Sequence, residues 1–232
     1  MSYDYKSKFI ELKAGLVCYN SIMPQVDKST TFKPSPMDGI HWALERGLRK
    51  IRLGIFSWIY RNWLRLRGAR IGRGVRFESR ILIKGAHRIR IGARTTIGRF
   101  TQLDTLRNGY IVIGEHCFLG HFSIITSNME VQIGNKVLIS PNCFITDVNH
   151  GIKLGMPIIE QLGTNIPVHI GNDVWLGTMT VVAPGSTIGD GAVLGAASFV
   201  NSDIPPLAIA VGQPAKVVKF RNETDPQSKY SS

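Results

Sequence analysis

Residues 170–200 read IGNDVWLGTMTVVAPGSTIGDGAVLGAASFV, and an aliphatic residue recurs in this segment at every sixth position. The recurring residues are Ile170, Leu176, Val182, Ile188, Leu194 and Val200. A period of six fits neither the 3.6-residue repeat of an α-helix nor the two-residue alternation of a β-strand. It is typical of a parallel β-helix in which three hexapeptides form one triangular coil around an apolar interior.

The same period extends over most of the chain, from Ile71 to about Ile204. The earlier members are Ile71, Phe77, Ile83, Ile91, Ile97, Leu103, Ile113, Leu119, Ile125, Ile133, Ile139 and Ile145. Glycine often follows the apolar residue, at a corner where a Cβ would crowd the turn. A Gly-rich β-sandwich with accidental spacing is the alternative, and eighteen positions in phase argue against it. We therefore predict an all-β solenoid of about six coils, roughly 29 Å long at strand spacing.

The period breaks once, after Ile145, and resumes at Ile170. Residues 151–168 are therefore predicted to leave the solenoid as one long loop, the kind of excursion that commonly forms the wall of a functional site. His150 ends the hexapeptide before this loop, which places it at a corner. A histidine there is a candidate general base, because imidazole exchanges protons near neutral pH. Asp147, three residues earlier, could orient that imidazole or cap a turn, and both alternatives stay open.

Together with the ending DIPPLAIAVGQPAKVV (residues 203–218), this repeat resembles the hexapeptide-repeat acyltransferases. The branch it resembles acetylates maltose, galactosides, nodulation sugars and surface polysaccharides. The resemblance covers about residues 71–220. It implies a left-handed β-helix, an exception to the usual handedness of parallel crossovers, and a homotrimer that binds acetyl-CoA between neighbouring prisms. It also implies chemistry without a metal.

The resemblance also assigns roles to individual residues. It implies that His150 is the catalytic base, with Asp147 beside it, and that Asn128, Asn149 and His121 contact the acceptor. For Asn128, a loop cap is the alternative, and it stays open. His121 is included because the family carries an active-site Asn about thirty residues before its catalytic His. That place is occupied here by Gly120. The implied acetyl-CoA contacts are Trp175, Gly177, Thr178, Gly195, Ala196, Lys216 and Lys219.

Positive charge is concentrated in the front of the chain. Residues 1–107 contain 22 Lys/Arg and 7 Asp/Glu, whereas residues 108–232 contain 6 and 9. We divide the chain into an arm with a basic amphipathic helix (1–70), the β-helix (71–205), and a CoA-contacting segment with a polar tail (206–232). The helix is predicted to begin at Ser35 and end near Arg67, with a bend at Gly54. It could plug the open end of the prism, or place its Trp and Arg side chains, with residues 40–107, on an anionic membrane, and both roles can hold at once.

Other site chemistries find little support. His116 and His121 have the spacing of a pair in the γ-class carbonic anhydrases, but the expected third histidine has no counterpart, so we predict no metal. The three cysteines show no metal or redox spacing. The basic front lacks a recognised nucleic-acid module, and we predict no nucleic-acid partner.

We predict an acetyl-CoA-dependent O-acetyltransferase that acts on a sugar hydroxyl in surface-polysaccharide biosynthesis, on a precursor that could be lipid-linked. One alternative is an acetyltransferase of the same fold for amino sugars or xenobiotics. Another is a non-catalytic β-helix scaffold that binds membrane or glycan. We expect a cytoplasmic location, and peripheral contact with the inner face of the cytoplasmic membrane is a further hypothesis.

Overall fold

The computed structural model describes residues 54–221. The predicted N-terminal arm, the first part of the predicted helix (35–53) and the polar tail beyond residue 221 lie outside the described residues. Residues 54–66 form a helix, α1, and the rest of the described chain is a prism of short strands. Two short 3-10 turns interrupt it, Ala86–Arg88 and Ile158–Glu160.

The strands form three sheets, one on each side of the prism. Sheet A contains β1 (Arg70–Ile71), β4 (Ile89–Ile91), β7 (Tyr110–Ile113), β10 (Glu130–Ile133), β13 (Val168–Ile170) and β16 (Thr187–Ile188). Sheet B contains β2 (Arg76–Phe77), β5 (Thr96–Ile97), β8 (Phe118–Leu119), β11 (Leu138–Ile139), β14 (Trp175–Leu176), β17 (Val193–Leu194), β19 (Ala208–Val211) and β20 (Lys216–Phe220). Sheet C contains β3 (Leu82–Lys84), β6 (Gln102–Thr105), β9 (Ile124–Ser127), β12 (Phe144–Thr146), β15 (Val181–Val182) and β18 (Phe199–Val200).

The chain visits the sheets in the order A, B, C, so strands of successive coils pair in parallel. The last strand, β20, is the exception, because it pairs antiparallel with β19. All eighteen residues of the hexapeptide period are buried and form the core of the prism. The predicted left-handed parallel β-helix is therefore confirmed. It is longer than six coils, because Ile204 bridges to Ile188 and β19 pairs with β17 in a seventh, partial turn.

The corner glycines are required by the distance between coils. A Cβ on Gly92 would lie 2.5 Å from the carbonyl carbon of Gly114 in the coil above. In this corner the residue with a left-handed backbone conformation is Arg94 (φ 60°), two residues after Gly92. Glycine at position 92 thus permits close stacking of two coils, and a non-glycine residue adopts the unusual φ.

We expect Gly92→Ala to lower the free energy of unfolding by about 1–3 kcal/mol, because the added methyl forces two coils apart. Gly54→Ala is the matched control, since nothing lies within 4 Å of the position of its Cβ and alanine favours a helix. Thermal or urea unfolding of both variants tests this. Equal stability of the two variants would show that the coils accommodate the methyl.

Helix α1 covers the end of the prism at the first coil. Leu64 is fully buried, and the ring of Tyr60 packs edge-on against Phe77 at 5.1 Å. The hydroxyl of Ser57 donates to the carbonyl of Phe77 (2.7 Å) and accepts from its N–H (3.0 Å). Among the described residues no coil precedes the first one, and α1 pairs with backbone groups that an open edge would leave unpaired. These contacts support the plug alternative for residues 54–66.

Two arginines of α1 take part in this cap. The guanidinium of Arg65 donates to the carbonyl of Ile71 (2.6 Å), and that of Arg61 donates to the carbonyl of Val75 (3.4 Å). Both side chains therefore anchor the helix to the first coil. Within residues 54–221, no helix is long and apolar enough to cross a bilayer.

Candidate active site

The long loop leaves the prism at the corner between sheets C and A and is closed at its base by backbone hydrogen bonds. The N–H of Asn149 donates to the carbonyl of Thr164 (3.1 Å), and the N–H of Ile166 donates to the carbonyl of Asp147 (3.0 Å). The loop therefore begins and ends at one point of the fourth coil and returns to sheet A at β13.

The interior of the loop is held by Gln161. Its side-chain amide donates to the carbonyls of Lys153 and Met156, both at 2.9 Å, and accepts from the N–H of Lys153 (2.7 Å). Three hydrogen bonds from one side chain give the loop a defined shape without a sheet of its own. The loop thus forms a wall beside the solenoid.

A cleft of about 350 Å³ lies between this wall and the corner. Its lining residues are Leu106, Arg107, Asn128, Val148, Asn149, His150, Ile159, Gln161, Leu162, Gly163 and Asn165. Three of the predicted site residues, His150, Asn128 and Asn149, therefore meet in one place. The period did not reveal the other lining residues, because most of them lie in a loop that has no repeat.

Two amide side chains in the cleft have unused hydrogen-bonding capacity. The Oδ1 atoms of Asn128 and Asn165 are buried and lack a hydrogen-bond partner among the described residues. A buried amide oxygen without a partner is uncommon, because leaving it unpaired costs free energy. Both oxygens can accept from a hydroxyl, so the cleft fits a polyhydroxylated ligand.

Asp147 caps a turn. Its fully buried carboxylate accepts a hydrogen bond from the hydroxyl of Ser127 (2.8 Å) and from three successive backbone N–H groups. These donors are the amides of Asn128 (2.8 Å), Met129 (2.8 Å) and Glu130 (2.6 Å). Within residues 54–221 no hydrogen bond joins Asp147 to the imidazole of His150. Of the two alternatives for Asp147, the structure supports the turn cap, which positions Asn128 in the cleft.

His121 lies at a different corner, between sheets B and C. Its Nδ1 accepts a hydrogen bond from the backbone N–H of Arg99 (3.0 Å) and lies 3.4 Å from Oε2 of Glu78. His121 does not line the cleft that contains His150. Within one chain His121 and His150 therefore lie apart. The role of His121 at the acceptor stays a prediction.

The predicted coenzyme residues follow that same corner between sheets B and C. Trp175 in β14 points outwards and is 48% exposed, with its indole N–H donating to the hydroxyl of Ser140 (3.0 Å). Gly177 and Thr178 form the corner that follows, and the hydroxyl of Thr178 donates to the carbonyl of Pro141 (2.8 Å). The ring of Trp175 is thus available at the surface, as a contact with a coenzyme requires.

The next two coils continue this edge. Gly195 and Ala196 stand above Gly177 in the following coil, where a Cβ on Gly177 would lie 2.6 Å from the N of Ala196. The turn into β20 adds Gln213, whose amide donates to the carbonyl of Ala197 (2.8 Å). Lys216 and Lys219 lie on the exposed strand β20. The coenzyme edge, as we call residues 175–178, 195–197 and 213–219, is continuous along the prism.

The cleft and the coenzyme edge lie at two different corners of the prism. Residues 179–182, including β15 in sheet C, separate Thr178 from the C–A corner that carries His150. One side of a coil, with about six residues, is roughly 20 Å long at the rise of a β-strand, and this length separates the two corners. One chain therefore presents both predicted halves of an acetyltransferase site without joining them.

Neither described thiol is suited to be a nucleophile. Burial raises the pKa of the Cys143 thiol to about 11 and also raises the pKa of the Cys117 thiol. Both side chains are buried and therefore protonated at neutral pH. Among residues 54–221, no group of three or more His, Cys, Asp or Glu side chains is placed to hold a metal ion.

The sequence matches two families of hexapeptide proteins. Residues 167–202 match the family described as Bacterial transferase hexapeptide (six repeats). Residues 110–147 match the family described as Hexapeptide repeat of succinyl-transferase.

Several named proteins are similar to this chain. Rv3034c of Mycobacterium tuberculosis, which carries the name of an acetyltransferase, is 38% identical over 56% of this chain and 45% of its own length. The galactoside O-acetyltransferase of Escherichia coli is 38% identical over 50% of this chain and 56% of its own length. This chain thus spans about half the length of these two relatives. WbbJ of Escherichia coli, named for O-acetyl transfer in lipopolysaccharide biosynthesis, is 36% identical over 65% of this chain and 80% of its own length.

Solved structures share the fold. AntD, an N-acyltransferase from Bacillus cereus crystallised with dTDP and coenzyme A, superposes with a TM-score of 0.63 at 20% identity, over 69% of this chain and 89% of that chain. The relatives, the fold and the hexapeptide repeat together define the class of protein. The chain belongs to the hexapeptide-repeat acyltransferase family, as the sequence predicted.

Proposed function

We propose that this protein transfers an acetyl group from acetyl-CoA to a hydroxyl of a sugar, within the biosynthesis of a surface polysaccharide. The observation that carries the proposal is the cleft that His150 lines together with Asn128 and Asn165, whose buried amide oxygens have no hydrogen-bond partner within residues 54–221. The proposal is supported by relatives named for O-acetyl transfer to galactosides and in lipopolysaccharide biosynthesis. The acetyl-CoA complex of the hexapeptide-repeat acetyltransferase VCA0836 from Vibrio cholerae, at a TM-score of 0.50 and 23% identity, supports the same donor on this fold.

The proposed mechanism is direct transfer between two bound substrates. The acceptor hydroxyl donates its proton to the imidazole of His150 as its oxygen attacks the thioester carbonyl of acetyl-CoA. The C–S bond then breaks, and the coenzyme leaves as a thiol that receives the proton. Asn128 and Asn165 accept hydrogen bonds from other hydroxyls of the sugar, which hold the reacting oxygen in place.

The proposal includes a homotrimer. The cleft and the coenzyme edge of one chain lie at different corners, so a second copy is needed to bring a coenzyme edge to the cleft. A cyclic assembly would repeat this contact three times and close. Sedimentation of the purified protein should therefore give three times the mass of the chain.

The proposed activity is tested with the purified protein, acetyl-CoA and a panel of galactosides and polysaccharide repeat units. We expect release of the coenzyme thiol and a product heavier by one acetyl group, which base hydrolysis removes as expected for an ester. An amide product on an amino sugar would instead support the alternative of an N-acetyltransferase.

Stabilisation by coenzyme A distinguishes the proposed enzyme from a β-helix scaffold without activity. Coenzyme A at a hundred times its dissociation constant should stabilise the folded protein by about 2.7 kcal/mol. An unchanged melting temperature at millimolar coenzyme A would support the scaffold.

We expect Lys216→Ala to raise the KM for acetyl-CoA more than it lowers kcat. Lys216 lies exposed on β20 within the coenzyme edge, and a contact between an ammonium and a phosphate is present in both the ground and the transition state. Steady-state kinetics with varied acetyl-CoA measure the effect. Lys136→Asn is the control, because Lys136 is exposed at the corner between sheets A and B and has a left-handed backbone (φ 57°) that asparagine tolerates. A fall in kcat at constant KM would contradict a phosphate contact.

A further inference from the structure

Helix α1 presents a second apolar face, opposite the one that caps the prism. Ile55, Trp58, Ile59 and Leu66 are 56%, 60%, 55% and 88% exposed. Their spacing of three, four and seven residues places them on one stripe of a helix. Leu64 and Ser57, which are buried against the first coil, lie on the other side. We call the four exposed residues the outer stripe.

The outer stripe is more than scattered surface hydrophobicity. Four large apolar side chains lie within three turns, and Trp63 continues them at one side. The guanidinium of Arg67 lies 4.7 Å from the centre of the Trp63 ring, at the C-terminal end of the helix. Asn62 lies on the same stripe between Ile59 and Leu66, so the apolar surface has two parts with a polar residue between them. An exposed apolar surface bordered by charge is typical of one that meets another molecule or a membrane.

The coil beneath α1 is surrounded by exposed arginines. Arg70 lies on sheet A, Arg76 lies on sheet B, and Arg73 and Arg80 lie at the two corners between successive sheets. We call these four residues the arginine ring. Residues 54–107 contain 13 Lys/Arg but only 2 Asp/Glu. One of these two carboxylates, Asp104, is paired with Lys84 at 3.0 Å.

We propose that this end of the protein docks on an anionic lipid bilayer. Helix α1 lies flat at the interface, the outer stripe enters the boundary between headgroups and acyl chains, and the arginine ring meets the lipid phosphates. An interfacial helix buries its apolar face by about 5–10 Å. A helix is about 10 Å wide, so arginines of the coil directly beneath it reach the headgroup level.

The positive charge of this end favours lipid over two other molecules or segments that could cover the outer stripe, namely a second copy of the protein and residues 1–53 of the same chain. A second copy of the same end would bring an equal positive charge against the arginine ring. Residues 1–53 contain 9 Lys/Arg and 5 Asp/Glu and are also net positive. An anionic membrane complements both the charge and the apolar stripe, and each well-placed cation contributes about 1 kcal/mol near such a surface.

Docking at this end also sets the distance of the cleft from the membrane. The cleft is built on the second to fourth coils, and coils are stacked about 4.8 Å apart. It would stand roughly 10–20 Å from the lipid surface, within reach of a sugar carried on a lipid. This last point rests on the proposed function, whereas docking does not.

The test uses the full chain and vesicles without any substrate. We expect co-sedimentation with vesicles that contain phosphatidylglycerol at low salt, loss of binding at high salt, and little binding to pure phosphatidylcholine. Trp58→Ser and Leu66→Ser should each weaken binding by about tenfold or more, because each removes a large apolar side chain from the interface. Arg70→Gln and Arg73→Gln should each weaken it by about fivefold.

Leu154→Ser is the matched control, since Leu154 is a fully exposed leucine in the loop that leaves the fourth coil, whereas α1 packs on the first coil. It should bind vesicles like the wild type. Arg61 and Arg65 are unsuited to this test because they anchor α1 to the first coil. Acetyl transfer to a soluble sugar should stay unchanged in Trp58→Ser and Leu66→Ser, which separates docking from catalysis.

Three results would overturn the proposal. Wild-type protein that stays in the supernatant at low salt would show that lipid does not cover the outer stripe. A trimer or larger assembly that dissociates in Trp58→Ser would assign the stripe to contacts between copies. Equal loss of binding in Leu154→Ser would assign membrane contact to the loop.

Discussion

Replacing His150 with alanine is expected to leave the β-helix folded and to lower kcat by roughly 10²–10⁴, about 3–5 kcal/mol of transition-state stabilisation. His150 is exposed at the base of the long loop, and its backbone N–H, not its ring, donates a hydrogen bond to the side-chain oxygen of Asn149 (2.9 Å). Removal of the ring therefore leaves the loop closed while it deletes the proposed base. Initial rates with saturating acetyl-CoA and acceptor measure the loss.

His116→Asn is the control for this prediction. His116 is also exposed, and its left-handed backbone (φ 57°) is one that asparagine adopts readily. It lies at the corner between sheets A and B, away from the cleft and the coenzyme edge. A His150→Ala protein with normal sedimentation and near-native kcat would remove His150 from the mechanism.

Asp147→Asn is expected to lower the free energy of unfolding by about 2–4 kcal/mol. The buried carboxylate accepts four hydrogen bonds from residues 127–130, and hydrogen bonds to a charged group contribute about twice as much as neutral ones. The Asn side chain has the shape of Asp, but its NH₂ group replaces one carboxylate oxygen. This NH₂ group would then face the hydroxyl and N–H donors of residues 127–130. For a chain of this size the melting temperature should fall by roughly 5–15 °C.

The pH profile separates this role from orientation of His150. If Asp147 acts by holding the turn, Asp147→Asn lowers activity through Asn128 and leaves the pH midpoint of kcat/KM in place. A shifted midpoint would show that Asp147 acts on the imidazole. Asp173→Asn is the stability control, since this exposed carboxylate pairs with Arg221 at 3.1 Å and an exposed pair contributes about 0–1 kcal/mol.

The two roles that the sequence left open, for Asp147 and for α1, depended on contacts between residues far apart in the chain. Asp147 meets residues 127–130 because one coil is about twenty residues long, so the turn of the coil below lies directly under it. A three-residue separation from His150 suggested a pair, yet the nearer partners were in the preceding coil. Likewise, the sequence suggested that Arg61 and Arg65 are surface cations. In the structure their guanidinium groups donate hydrogen bonds to carbonyls of the first coil.

The sequence by itself determined the solenoid. An inward apolar residue at every sixth position admits one arrangement of strands, so the eighteen core residues, the corner of His150 and the long loop were predictable from local spacing alone. Only the tertiary structure decided which distant groups meet. It placed the amides of Asn128 and Asn165 in the cleft, separated that cleft from the coenzyme edge, and exposed the outer stripe of α1. These features depend on how coils stack and how a loop without a period folds back, and such contacts leave no repeating signal in the sequence.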